Sequence, residues 1–396
     1  MRATSPLLLT VAAAAARKQP RPRPGQLSRM ATVATQLAPL PEVERISPAV
    51  IRILGGNPGK FTLQGTNTYL IGTGRDRLLI DTGEGKPSWI AALKRVLASE
   101  QGSRGGDGGG GGGGGEDAPA VRIVSALITH RHPDHVGGIP QLLALSPETR
   151  VHKHRDPEGA GSGSGSGTQA GGAAAALEEI RDGQTFAVEG ATLTAVHTPG
   201  HTADHVVFVL REEEVAAGEQ EQKGPRQALF TGDNVLGHGT AVFEDLGTYL
   251  RSLARMEGLL DHHHPDGGGA GGGGGGPAFP GHGPVLPSAR DKIAEYIEHR
   301  RQREAQVLQT LGGSANANAN EEEQGGEDAG ADASAADNRR WWSSMELVKV
   351  IYRDVPETLH VPAQGGVVQV LRKLRDEDRV VLEGLDRWRL SDRSSL

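Results

Sequence analysis

The chain has 396 residues, enough for one large or two ordinary domains, and carries 42 Lys+Arg against 49 Asp+Glu, a formal charge of -7. That balance gives no general pull on a polyanion, so a nucleic-acid substrate would need a local basic patch. With no cysteine, a disulfide framework is excluded and the redox compartment stays open; no apolar run reaches the ~18 residues of a membrane span, so a soluble protein with no membrane partner is expected.

Residues 1–41 contain Arg2, Arg17, Lys18, Arg21, Arg23 and Arg29 and no acid before Glu42. An acid-poor, Arg-bearing leader has the composition of a transit peptide, which would place the protein in the mitochondrial matrix, or of a disordered leader. The other reading is an extension upstream of Met30, which leaves it cytoplasmic. Residues 42–311 read as one α+β domain that opens with the strands VIRIL (50–54), TNTYLIGTG (66–74) and RLLIDTG (77–83), the last closed by Asp81. PSWIAALKRVLAS (87–99) has helical spacing, with Ile90, Leu93 and Val96/Leu97 on one face.

Of the 58 glycines, 32 lie in the tracts 102–115, 159–172, 267–276 and 312–330, so the low hydrophobic content of 36% belongs to inserts rather than to the core. Inserts near 101–118, 159–172, 211–226 and 265–277 cannot bury enough apolar surface to order themselves.

VRIVSALIT (121–129) is apolar and β-branched, of strand length, and delivers THRHPDHVGG (129–138) to the strand's C-terminal end. His130 and His132, two apart in extended chain, share a face and can hold one cation. Pro133 breaks the strand, which turns Asp134 and His135 towards a second cation. Gly137 and Gly138 are expected to permit a tight exit. Imidazole with carboxylate and no thiolate is a zinc-type ligand set.

A short helix, IPQLLALS, and a short strand, RVHKH (150–154), follow, with His152 and His154 expected as surface residues of an edge strand. TFAVEGATLTAVHTPG (185–200) reads as a hairpin turning at Glu189 and Gly190 and ending near His197. Strand VVFVL (206–210) precedes ALFTGD, which ends on Asp233. His238 sits on a glycine-flanked turn, as a cleft-lining proton donor or oxyanion contact, or as a structural turn histidine. Helices are expected at 245–260 and 290–311, and His262 to His264 as the solvated edge of a glycine tract.

The 129–138 segment resembles the HxHxDH signature of the metallo-β-lactamase superfamily, and LLIDTGEG (78–85), HTPGHT (197–202), LFTGD (229–233) and PGHGPV (280–285) are similar to its other motifs, in order. KFTLQGTNTYLIGTG (60–74) and GDNVLGHGTAVFEDL (232–246) resemble the β-lactamase-like protein 2 group, which includes fungal polyketide acyl-carrier-protein thioesterases and a mitochondrial endoribonuclease. The resemblance implies a four-layer αββα sandwich holding two Zn2+ per chain. His130, His132 and His201 would take one metal, Asp134, His135 and His282 the other, with Asp233 bridging. It implies that Asp81 hydrogen-bonds a ligand histidine. His197 is expected to support the site or pack locally rather than to ligate, with Asp204 and His205 in the same turn as supporting groups.

Two cations ~3.5 to 4 Å apart share a water and lower its pKa from ~15.7 towards neutrality, giving a bridging hydroxide nucleophile that Asp134 can orient as the catalytic residue, later shuttling a proton. Such a site serves thioesters, lactams and phosphodiesters alike.

After a linker (312–338), residues 339–396 are expected to hold helices at 344–352 and 366–377 and the hairpin RVVLEG/RWRL, a winged-helix-like module of the kind the resembling group carries. From 340 to 390 there are nine Lys/Arg against eight Asp/Glu, so a cap or homodimer module is expected rather than a nucleic-acid reader. The favoured function is a thioesterase on acyl or polyketide chains bound to acyl carrier protein. The alternative is an endoribonuclease cleaving single-stranded RNA in mitochondria, and a binding module without chemistry would not need the full ligand set.

Overall fold

The computed structural model describes residues 37–104, 120–155, 177–213, 227–260, 275–313 and 340–392. The leader up to residue 36, most of each glycine-rich insert, His262 to His264 and the linker lie outside them.

Seven strands form the first sheet in sequence order: β1 (Val43–Ser47), β2 (Val50–Leu54), β3 (Asn67–Ile71), β4 (Asp76–Ile80), β5 (Arg122–Ile128), β6 (Arg150–Lys153) and β7 (Glu178–Glu179). They pair antiparallel up to β4 and parallel thereafter. The second sheet has the order β12-β11-β10-β9-β8, built from β8 (Thr185–Val188), β9 (Ala191–His197), β10 (Val206–Glu212), β11 (Gln227–Gly232) and β12 (Ala278–Pro280).

Successive strand residues point to opposite faces, and here both faces are buried. Tyr69, Ile71, Leu78 and Ile80 meet Val206, Phe208, Leu210 and Phe230 between the sheets. Leu70 and Leu79, one residue out of phase, pack instead on Trp89, Leu93 and Val96 of helix α1 (Pro87–Arg104) and Leu142 of α3 (Ile139–Leu145). Val207 and Val209 pack on α4 (Leu246–Leu259) and α5 (Ala289–Leu311). Helix, sheet, sheet and helix give the expected four layers.

The C-terminal module joins this core. Helices α6 (Ser344–Ile351) and α7 (His360–Asp376) precede the hairpin β13 (Val380–Glu383) and β14 (Arg387–Leu390). Leu347, Val367 and Leu371 share one apolar cluster with Leu253, Tyr296 and Leu311.

Several expectations change. Helix α1 runs on to Arg104, into the stretch read as insert. Helix α7 begins at His360 rather than 366, because Pro362 lies in its first turn, where a missing N–H costs nothing. His152 is not a surface residue: β6 lies between β5 and β7, so its imidazole is 4% exposed, beside the Ser125 hydroxyl and edge-on to Phe186. His154 is half-buried, its Nδ1 2.7 Å from Ile180 O. Gly137 and Gly138 have ordinary helical φ values of -63° and -85°. They are needed for space, since a Cβ on Gly138 would run into Thr82 O and the Trp89 ring.

Candidate metal centre

The strand ends gather the motif residues at one edge of the sandwich. β5 leads through Thr129 into a four-residue helical turn, α2 (Pro133–Val136), with Pro133 at its start and His132 at its N-cap. His201 comes from the turn between β9 and β10, Asp233 from the end of β11 and His282 from just past β12.

Two groups of ligand atoms result, His130, His132, His201 and Asp233 in one and Asp134, His135 and His282 in the other, each within 4.8 Å. His132 Nδ1 is 2.9 Å from His130 Nε2 and 3.1 Å from His201 Nε2. Asp134 Oδ2 is 3.3 Å from His135 Nε2 and 3.2 Å from His282 Nε2. Asp233 joins the groups: Oδ2 lies 3.6 Å from His201 Nε2 and 3.3 Å from His282 Nε2, and Oδ1 lies 3.4 Å from His135 Nε2.

The far nitrogens of three histidines are occupied, which fixes the tautomers. His135 Nδ1 donates to Asp81 Oδ2 at 2.7 Å. Thr129 gives its hydroxyl proton to the same carboxylate (2.9 Å), so its oxygen accepts from His130 Nδ1 at 3.0 Å. His201 Nδ1 donates to Val242 O at 2.6 Å. Asp81 makes these contacts fully buried and with a left-handed φ of 59°, a conformation that costs a non-glycine residue about 1 to 3 kcal/mol.

The residues fit divalent cations on an observation independent of motif. His135 Nε2 and Asp233 Oδ1 are buried without a hydrogen bond, although uncompensated buried polar atoms are costly. The electrostatics agree. Burial, helped by neighbouring imidazoles, keeps His130 neutral, and burial does the same for His132, leaving ligand lone pairs free. Burial opposes charge on His135 and His282, but Asp81 and Asp233 override it for the first and Asp233 with Asp134 for the second, which rises to about 9. Burial opposes ionisation of Asp134 and Asp233 too, yet His135 and His282 hold both carboxyls far below the usual carboxylate range. Three carboxylates thus demand positive charge in this pocket.

Other motif residues take supporting places. Asp204 ion-pairs with Lys153 and, at 3.6 Å, with Arg131 in the ligand loop. His205, kept neutral by burial, accepts the Asp233 backbone N–H at 3.1 Å. His197 stands apart: its Nε2 is 2.8 Å from Ala203 O and its ring lies 4.1 Å from that of His154. His238 is exposed, with no polar partner among the described residues.

The sequence reading missed what Thr66 to Tyr69 do. Thr66 donates its hydroxyl to Asp134 Oδ2 at 3.1 Å and is gripped by Asn57 through bonds of 2.9 and 3.0 Å. Asn67 donates to Pro280 O and Gly283 O, Tyr69 donates to Pro280 O, and Thr68 accepts from the Trp89 indole. Four polar side chains opening a strand that is otherwise apolar were the available signal.

Comparison with known proteins agrees with this geometry. The Metallo-beta-lactamase superfamily profile matches residues 61–217, and that of the Beta-lactamase associated winged helix domain matches residues 343–388. The chain is 38% identical over 360 residues, 89% of its length and 91% of the relative's, to an atrochrysone carboxyl ACP thioesterase of Aspergillus chevalieri. It is 39% identical over 348 residues, 87% of its length and 86% of the relative's, to the lactamase-like protein adaB of Aspergillus niger. A beta-lactamase domain protein from Burkholderia ambifaria shares the fold at a TM-score of 0.57 and 17% identity, over 90% of this chain and 96% of that one. With ligand loops, sandwich and relatives in agreement, this chain belongs to the metallo-β-lactamase superfamily of hydrolases and carries that family's associated winged helix.

Proposed function

We propose that the protein is a binuclear zinc-dependent thioesterase acting on acyl or polyketide chains carried by an acyl carrier protein. The observation that carries the hydrolytic part is Asp233, one carboxylate within 3.6 Å of histidines from both ligand groups. The substrate class rests on the relative of Aspergillus chevalieri, a named ACP thioesterase aligned over 89% of this chain.

His130, His132 and His201 would hold one cation, Asp134, His135 and His282 the second, and Asp233 both. Such a pair would supply Lewis acidity and lower the pKa of a bound water. Asp134 is the most open of the ligand acids, with 21% of its side chain accessible against 11% for Asp233. Its Oδ2 faces Thr66, His135 and His282, and its Oδ1 has no partner among the described residues. That oxygen is placed to accept a hydrogen bond from water and so to orient it. A thiol leaves readily as thiolate, since its pKa is near ~8.5, whereas an alkoxide leaving group needs a proton donor.

The test offers zinc-loaded protein a panel of acyl thioesters and a fluorescent single-stranded RNA, with Asp134→Ala as control. The proposal expects thioester hydrolysis that the substitution lowers at least a hundredfold, on the order of a lost proton-transfer group. Cleavage of RNA alone would contradict the substrate class, and activity unchanged in Asp134→Ala would contradict the site.

A further inference from the structure

Helix α5, the loop after β11 and helix α7 enclose a cleft of about 410 Å³. Arg300 and Arg303, three apart on one face of α5, line it together with Thr240, Phe243 and Tyr352. The Arg300 guanidinium lies 4.7 Å from the Phe243 ring centre and that of Arg303 lies 4.3 Å from the ring centre of Tyr352. Aromatic faces hold both forks in place at little cost in side-chain freedom.

Neither arginine has an acid partner among the described residues. Glu304, the adjacent carboxylate, is engaged by Lys373 and Arg379. Arg300 donates one Nη2 bond to Ala241 O at 3.0 Å, while its Nε is buried with no hydrogen bond. Two guanidinium groups without an acid partner, each held against an aromatic ring in one cleft, make a site for an oxyanion. The cleft also adjoins the metal centre: Val242, between the lining residues Thr240 and Phe243, accepts the His201 Nδ1 hydrogen bond.

We propose that this cleft binds the phosphate of the phosphopantetheine arm that presents the thioester. The assignment rests on the thioesterase reading above, and it selects carrier-bound chains over simple thioesters of the same acyl group.

Full-length zinc-loaded protein is to be assayed with one acyl group on pantetheine, on 4′-phosphopantetheine, on coenzyme A and on a carrier protein. The phosphate is expected to lower KM about tenfold between pantetheine and phosphopantetheine, the size of a charge-assisted hydrogen bond. Arg300→Gln and Arg303→Gln should bring that ratio towards one, whereas Arg303→Lys, which keeps the charge, should retain part of it. Thermal melts establish that each variant is folded. Equal losses on pantetheine and phosphopantetheine, or a gain seen only with coenzyme A, would overturn the proposal. If no thioester is hydrolysed, the function reading fails by itself. Calorimetric titration of 4′-phosphopantetheine then decides the cleft: binding lost in Arg303→Gln supports it, while no binding, or displacement only by RNA, overturns it.

Discussion

The carboxylate of Asp81 accepts a 2.7 Å hydrogen bond from Nδ1 of His135, 54 positions further along the chain, and turns Nε2 of that imidazole towards Asp134 and Asp233. Asp81 also holds Thr129, whose oxygen accepts from His130. One buried acid therefore orients a histidine in each ligand group. Asp81→Asn keeps the shape but can present an N–H where His135 needs an acceptor. Zinc affinity, measured by competition with a chromophoric chelator, should fall about 10- to 100-fold. An affinity equal to the wild type would mean that the histidines are oriented by something else.

Thr66 holds Asp134 through its hydroxyl bond of 3.1 Å to Oδ2, the oxygen that also faces His135 and His282. Thr66→Val removes that donor at nearly constant volume, and a hydrogen bond to a charged group contributes about 1.5 to 3 kcal/mol. kcat should fall roughly 10- to 100-fold, with Thr66→Ser restoring most of it. A loss confined to KM, or a serine variant no better than valine, would remove Thr66 from the positioning of Asp134.

The winged helix and the sandwich share an apolar cluster, so they are expected to unfold together. Leu371 is fully buried in it, near residues of α5. Leu371→Ala should cost about 2 to 5 kcal/mol and lower a single calorimetric transition. Two separated transitions, with only the smaller one shifted, would show that the module folds independently.

His152 gives stability a pH dependence. Burial lowers its pKa, aided by Arg150 and opposed by Glu178. As pH falls through the unfolded histidine value of ~6.5 the unfolded chain takes up a proton before the folded one does, so the folded state loses stability on the acid side. His152→Gln should be less stable than wild type at pH 8, by about 1 kcal/mol. Its deficit should narrow at pH 5.5, because glutamine has nothing to protonate. Urea unfolding at both values with saturating zinc checks this, and a deficit that stays constant would contradict it.

What was legible in the sequence followed local chemistry. The cluster from His130 to His135, the apolar runs of β2 to β5 and the helical patterns of α4 and α5 reside in consecutive residues, so motif and periodicity reach them. Other features depend on distant partners. Thr66 meets Asp134 across 68 positions, and the polar run from Thr66 to Tyr69 does not say which partner each side chain finds. His152 looked like an edge residue because only the parallel pairing of β7 buries β6 on its far side. β1 was missed because its pattern is largely exposed, with Glu44 and Arg45 where an alternating apolar face would mark a strand. The cationic cleft was illegible for a similar reason: the helix at 290–311 is legible from its own residues, but the rings of Phe243 and Tyr352 that meet Arg300 and Arg303 come from elsewhere in the chain.

The central claim is that residues from four separate segments, 130–135, 201, 233 and 282, hold two cations. Calorimetric titration of metal-free protein with Zn2+, checked by elemental analysis of the product, tests it most directly. The account predicts two equivalents for the wild type and a single tight one for His282→Ala, which leaves His130, His132, His201 and Asp233 intact. One equivalent or fewer in the wild type, or two undiminished in the variant, would contradict it.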